Sequence, residues 1–220
     1  MIYVCAGMSR SGSTWVFNAV RLLLQRANVP DLAAGWITER ANLLAHDNSV
    51  IKIHSFDVEL AARADVVLTS HRDLRDVAAS MQRKFKTGFS TKLIHETVAD
   101  YVKWSKIAAY DLHYEDLLLD KLPELKKIAA ALKLSSPTEA QFPYAAILKE
   151  LDGQQFCENR STAQRYDSIN LLHDGHITDG RHGSWKNFVP NEVVTAIENE
   201  FQDWMIAKGY IHREQPSPTA

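Results

Sequence analysis

Short apolar runs alternate along this chain with longer stretches whose apolar residues recur every three or four positions. Residues 2–6 (IYVCA) are continuously apolar and end at Gly7, as a buried strand does. Residues 14–27 follow with Trp15, Ala19, Leu22, Leu23 and Ala27 on one helical face. Two more strand-like runs, VIKIH (50–54) and VVLTS (66–70), flank the helical piece DVELAARA. Helices are expected at 74–86 and 92–109, then a strand end within LHYEDL (112–117) and a Leu/Lys helix through Leu132. Residues 165–189 are rich in Gly, His and Asp, carry no apolar period, and read as loop. A last amphipathic helix at 191–207 sets Val193, Ile197, Phe201 and Trp204 on one side, and the tail REQPSPTA (213–220) reads as disordered. Strands alternating with helices predict an α/β fold: one parallel sheet flanked by helices, in a single domain over 1–212.

Composition narrows the function classes. The chain has 220 residues, 45% hydrophobic and 24% charged, which suits one globular domain with its own core. Its 25 Lys and Arg against 27 Asp and Glu leave a net charge of −2, so bulk charge gives no grip on nucleic acid and any basic site is local. Cys5 and Cys157 form neither a disulfide framework nor a CxxC pair, in keeping with a reducing cytoplasm. The opening apolar stretch is too short for a signal-peptide core, and no window approaches a membrane span, so the expected location is cytoplasmic with no membrane partner.

The first loop carries the chemistry. GMSRSGST (7–14) has the Gly-x4-Gly spacing of a phosphate loop between a strand and a helix, where backbone N–H groups and the helix N-terminus converge on an anion. Ser13 stands where a nucleotide triphosphatase has its lysine, and the cation is Arg10 instead. KIHSF ends the next expected strand, with Lys52 and His54 two apart and so on one face. SHRDLRDVAASM follows the strand after that, with Arg72 at its end and Ser80 further along the helix. In an open parallel sheet ligands bind beyond the carboxyl ends of the strands. Arg10, Lys52, His54 and Arg72 all fall at that edge, where cations so gathered call for an anion.

These stretches together resemble the sulfotransferases that use 3′-phosphoadenosine 5′-phosphosulfate (PAPS), in a short bacterial or cyanobacterial form. SRSGSTW (9–15) is similar to that family's 5′-phosphosulfate loop. Arg72, Arg75, Asp76, Val77, Ala78 and Ser80 match its 3′-phosphate motif, and Lys52 and His54 its K-x-H strand. Tyr114, Glu115 and Asp116 match a Tyr-Glu-Asp on the adenine side, and TDGRHGSWKN (178–187) a late glycine loop. The resemblance implies that Ser9, Ser11, Gly12, Ser13 and Thr14 hold the 5′-phosphosulfate, with Arg10 over the oxygen that links sulfur to phosphorus. It implies that Arg72 and Ser80 take the 3′-phosphate, that Trp15 and Tyr114 lie on the adenine side, and that Gly180 and Arg181 belong to the late loop's grip. Lys52 would neutralise the moving sulfonate and His54 would deprotonate the acceptor hydroxyl. PAPS is the implied co-substrate, without a metal.

The chain also departs from that pattern. Thr178 and Asp179 occupy the places of the family's Arg-Lys pair, which leaves Arg181 to substitute, and the family's dimer motif is not evident after Asn187. Three other readings compete. A degenerate P-loop kinase or triphosphatase needs a lysine before Ser/Thr and a magnesium-binding Asp, and a nucleotide-binding regulator would need neither Lys52 nor His54. His173, His176 and His182 with Asp174 and Asp179 are candidate metal ligands that read more simply as a glycine-rich loop. The acceptor is expected to be a small molecule with a hydroxyl or an amine, its pocket shaped by 28–48, 87–97 and 140–175. Asp31, Glu39 and Asp47 leave room for a cation, such as a guanidinium alkaloid of the saxitoxin kind.

Overall fold

The structure is a computed structural model that describes residues 1–86, 88–134, 142–154, 167–173 and 175–212; the expected 213–220 tail lies outside the described residues. Among the described residues five strands are present: β1 (Ile2–Cys5), β2 (Leu32–Trp36), β3 (Asn48–Lys52), β4 (Val66–His71) and β5 (Tyr110–His113). They form one sheet in the order β2-β3-β1-β4-β5, every pair parallel, as the alternation predicts. The helices are α1 (Ser13–Arg26), α2 (Arg40–Leu43), α3 (Val58–Arg63), α4 (Leu74–Phe85), α5 (Thr91–Ser105), α6 (Tyr114–Leu119) and α7 (Lys121–Ala131). After them come α8 (Tyr144–Gly153), α9 (Asn191–Glu200) and α10 (Gln202–Ala207).

Strand alternation divides the core. Tyr3, Cys5, Val50, Val66 and Leu68 face α1, α7 and α8, packing on Phe17, Leu23, Leu125 and Ile147. Val4, Ile51 and Val67 face the other way, onto Leu60 of α3 and Trp104 of α5. A third cluster joins α4 and α5 to the C-terminal helices through Leu74, Ile94, Tyr101, Ile197 and Met205.

Three boundaries and two elements differ from the sequence expectation. β2 (LAAGW) is built mostly of small residues with no β-branched side chain to mark it as strand, and it sits half-exposed at the sheet edge. β3 stops at Lys52, opposite the end of β1 at Cys5, and His54 lies beyond the strand. The Leu/Lys helix breaks at Asp120, whose carboxylate accepts the Leu122 amide and starts α7. The last helix breaks at Phe201, whose φ of −115° and ψ of 22° leave the helical region. Helix α8 arises within a segment that sequence alone assigns to the pocket wall.

Candidate active site

The loop from Gly7 to Gly12 leaves the central strand between the carboxyl ends of β3 and β4. Gly7 is required for close packing: a Cβ there would lie 2.0 Å from Ser70 Oγ and 2.9 Å from Ser13 Cβ. Gly12 takes φ 81° to turn the chain into α1, and Arg10 holds φ 65° on the way. The start of α1 has no side-chain cap and no acidic residue in its first turn, so its amides and positive end are open to an anion. Ser9, Gly12, Ser13, Thr14 and Trp15 line the cavity above this loop. Ser11 does not; its hydroxyl is fully buried against Met8 O at 2.7 Å and Ser70 Oγ at 2.7 Å, so it braces the loop from below.

Register explains Lys52. Cys5, Lys52 and Trp36 are paired across β1, β3 and β2, and so share the face that α1 covers. Lys52 Nζ therefore meets Thr14 Oγ1 at 2.6 Å and lies 5.1 Å from the centre of the Trp36 ring. Burial, with Arg10 nearby, pushes its pKa down to about 7. His54 reaches back to the loop: its Nδ1 lies 2.6 Å from Gly7 O, and its ring meets Trp36 edge-on at 5.3 Å. A carbonyl only accepts, so Nδ1 carries the proton and Nε2 keeps its lone pair. Burial, then Lys52, lower the His54 pKa to about 3, which keeps the ring neutral.

Arg10 and Arg72 form the other half of the site. Arg10 Nε donates to Ser80 Oγ at 2.9 Å, and burial followed by the Arg72 charge lowers its pKa. The Arg72 side chain is 4% exposed, lies 4.3 Å over the Tyr114 ring, and is 4.0 Å from its nearest carboxylate, Asp76. Its buried Nε has no partner. Arg75 is not free for a ligand, because Asp73 and Glu198 hold it and its guanidinium stacks on Trp185. Asp76, read from sequence only as part of a motif, has a definite task. It accepts the amides of Gly183 at 2.7 Å and Trp185 at 3.0 Å, tying down the late loop where a short 3-10 turn (Ser184–Asn187) begins.

The rest of that loop lies over the cations. Tyr114 OH donates to Gly180 O at 2.8 Å, and Gly180 takes φ 74°. The Arg181 guanidinium does not turn toward Arg72: it is 79% exposed and paired with Asp179, while its carbonyl accepts from Arg72. The side chain expected to substitute for the missing Arg-Lys pair thus points outward.

A cavity of about 1040 Å³ brings together Arg10, Trp15, Lys52, His54, Arg72, Ser80, Tyr114, Gly180 and Arg181. A second, of about 550 Å³, lies beyond it, and Trp36 and His54 belong to both walls. Among the described residues lining the larger cavity the carboxylates are Asp152, held by Lys121, and Asp179, held by Arg83 and Arg181. Of the histidine-rich metal candidates, Asp174 lies outside the described residues. Asp76, Glu115 and His182 do bring ligand atoms within 4.8 Å of one another, but the Asp76 carboxylate already serves the loop amides. Asp31 and Asp47 precede β2 and β3 at the amino ends of the strands, and Asp31 binds His46 at 2.7 Å. The carboxylates on which a cationic acceptor was expected are therefore largely at the wrong end of the sheet.

No family model matches the chain, and no curated protein matches it by sequence. Solved structures do. The mouse sulfotransferase SULT7A1 complexed with PAP superposes with a TM-score of 0.66 at 15% identity, over 96% of this chain and 89% of that one. Retinol dehydratase with androsterone and the inactive cofactor PAP gives 0.61 at 18% identity, over 99% and 82%. A retinol dehydratase complex with retinol and PAP gives 0.61 at 19%, over 93% and 80%. With one parallel five-stranded sheet and helices on both faces, matched over nearly its whole length, this chain has the sulfotransferase fold.

Proposed function

We propose that the chain transfers a sulfuryl group from PAPS to a hydroxyl of a small-molecule acceptor. The observation that carries this is the pairing of two mutually repelling guanidiniums, Arg10 half-buried and Arg72 buried with an unpartnered Nε, with a neutral histidine whose Nε2 is free. The cations call for a ligand with anionic groups at two places, and the histidine for a proton to accept. The PAP bound in the mouse sulfotransferase SULT7A1 and in retinol dehydratase supports the same reading.

PAPS supplies the sulfuryl group and its phosphate leaving group. The open amides at the start of α1 would hold the 5′-phosphosulfate, with Arg10 and Lys52 facing its oxygens; Arg72 and Ser80 would take the 3′-phosphate, and Trp15 and Tyr114 would flank the base. As the sulfur–oxygen bond to phosphate breaks and the bond to the acceptor oxygen forms, His54 Nε2 takes the hydroxyl proton. Arg10 and Lys52 carry the charge on the departing and equatorial oxygens, since a loose in-line transfer is governed by position and charge. The acceptor would enter through the second cavity, where His54 and Trp36 form the shared wall.

A degenerate P-loop kinase is less well supported. Asp152 and Asp179 are bound to lysine or arginine, which leaves no unpaired acid to hold magnesium among the described residues lining the larger cavity. Calorimetry decides between the two. The desulfated nucleotide 3′-phosphoadenosine 5′-phosphate (PAP) is expected to bind without magnesium, and ATP much more weakly with or without it. Equal binding of ATP–magnesium would overturn the sulfotransferase reading.

A further inference from the structure

Donors of the anion site are already engaged by the chain itself. Arg10 Nη2 donates to His176 O at 2.7 Å, Arg72 Nη2 to Arg181 O at 2.8 Å, and Tyr114 OH to Gly180 O at 2.8 Å. Ser80 Oγ and Thr178 Oγ1 lie 3.3 Å apart. Four residues assigned to nucleotide phosphates or base are thus engaged by one strap, 176–181. A carbonyl oxygen offers these donors what a phosphate oxygen offers, without the charge.

The strap is also latched from outside. Asp179 binds Arg83 at 3.3 Å and Arg181, and Arg83 in turn donates to Ser184 Oγ at 3.0 Å. Gly175, Gly180 and Gly183 hold positive φ along it, and Asp76 pins its far end at Gly183 and Trp185. At positions 178–179 the chain therefore carries a hydroxyl that meets Ser80 and a carboxylate that meets Arg83 and Arg181; both hold the strap down, and the carboxylate would repel a phosphate. We infer that the strap is an internal competitor for the nucleotide site: it engages Arg10, Arg72 and Tyr114 and must leave them before PAPS or PAP can bind there. This rests on the nucleotide reading above.

Competition of this kind leaves a kinetic mark. When only the open form binds, apparent affinity is reduced by the fraction open, and the observed association rate levels off at the rate of strap opening. Two variants loosen the strap differently: Thr178→Val removes the contact to Ser80 without changing charge, and Asp179→Asn releases the latch. Association of PAP is followed by stopped-flow tryptophan fluorescence, since Trp15 and Trp36 line the cavity. Wild-type rates should plateau with PAP concentration. Both variants should raise the plateau, by roughly five- to tenfold for Asp179→Asn, and tighten binding by about the same factor. If PAP binds with rates that rise linearly, and both variants stay within twofold of wild type, the strap does not compete and this inference fails while the nucleotide reading stands. If calorimetry shows no PAP binding in any of the three proteins, the nucleotide reading fails and takes the strap with it.

Discussion

Two residues on β3 and just beyond it divide the proposed chemistry, and their protonation differs in direction from free amino acids. His54 is held neutral, so its Nε2 lone pair is available across the working range, and its removal should strike turnover alone. His54→Ala is expected to lower turnover by about two to four orders of magnitude while PAP affinity, measured by calorimetry, stays within a few-fold. Near-normal turnover would mean that another group deprotonates the acceptor. Lys52 gives a pH signature. Its pKa is lowered to about 7, so the cation is present below that pH and lost above it. Because kcat/KM reports the free enzyme, it should fall as pH rises through about 7. His54, at about 3, should add no acid limb near the ordinary imidazole value. Bound phosphosulfate favours the lysine cation, so the limb in kcat should lie at higher pH, and Lys52→Arg should abolish it because arginine does not titrate there. Lys52, Arg10 and Arg72 were legible in sequence because strand ends and loop spacing place them without knowledge of pairing. Trp36 was not. Its place beside Lys52 and His54 depends on the β2–β3 register, which no local pattern encodes.

At the scale of elements, the junction of β1 with its loop is the tightest constraint. Gly7 passes so near Ser70 that a methyl group has no room. Gly7→Ala should destabilise the fold by about 1–3 kcal/mol, the usual cost of overpacking a filled site. Thermal denaturation should show this as a lower Tm, with partial recovery in the Gly7→Ala/Ser70→Ala double variant, where the 2.0 Å clash with Oγ is gone. No recovery would place the strain elsewhere, at Ser13 Cβ. Elements with one strong period, such as β1, β4, α1 and α4, were readable because burial alone dictates them. Those that depend on neighbours were harder: β2 is an edge strand of small residues, and α6 and α7 are divided by a capping Asp within one continuous Leu/Lys pattern. The late loop was readable as loop, but nothing in its glycines revealed that its carbonyls would settle on Arg10 and Arg72. That requires chain segments 166 and 109 residues apart to meet.

For the molecule as a whole, the parallel sheet does more than carry the site; it concentrates cations at one edge and leaves them there. Arg72 is almost wholly buried, repelled by Arg10, 4.0 Å from its nearest carboxylate, and left with an unpartnered Nε. A buried charge in such a setting contributes little to folding and is retained for what it binds. Arg72→Met, which keeps much of the length and the apolar stem, separates the two roles. It does remove the contacts to Arg10 O and Arg181 O, so a purely structural arginine would lose stability on this change. A ligand-binding arginine predicts the reverse pattern. The empty variant should melt at or slightly above the wild-type temperature, while the gain that PAP confers should collapse. At a hundred times its dissociation constant, PAP should add about 2.7 kcal/mol to the wild type, or roughly 5–11 °C for a chain of this size. Breaking a buried charge pair across an interface typically costs about 2–5 kcal/mol, a loss of roughly 30-fold to several thousandfold in affinity, enough to erase most of that shift at the same PAP concentration. Thermal scans of both proteins with and without PAP measure all four values. An empty Arg72→Met protein that melts well below wild type, yet still gains the full PAP shift, would make Arg72 a structural residue and remove it from the nucleotide site.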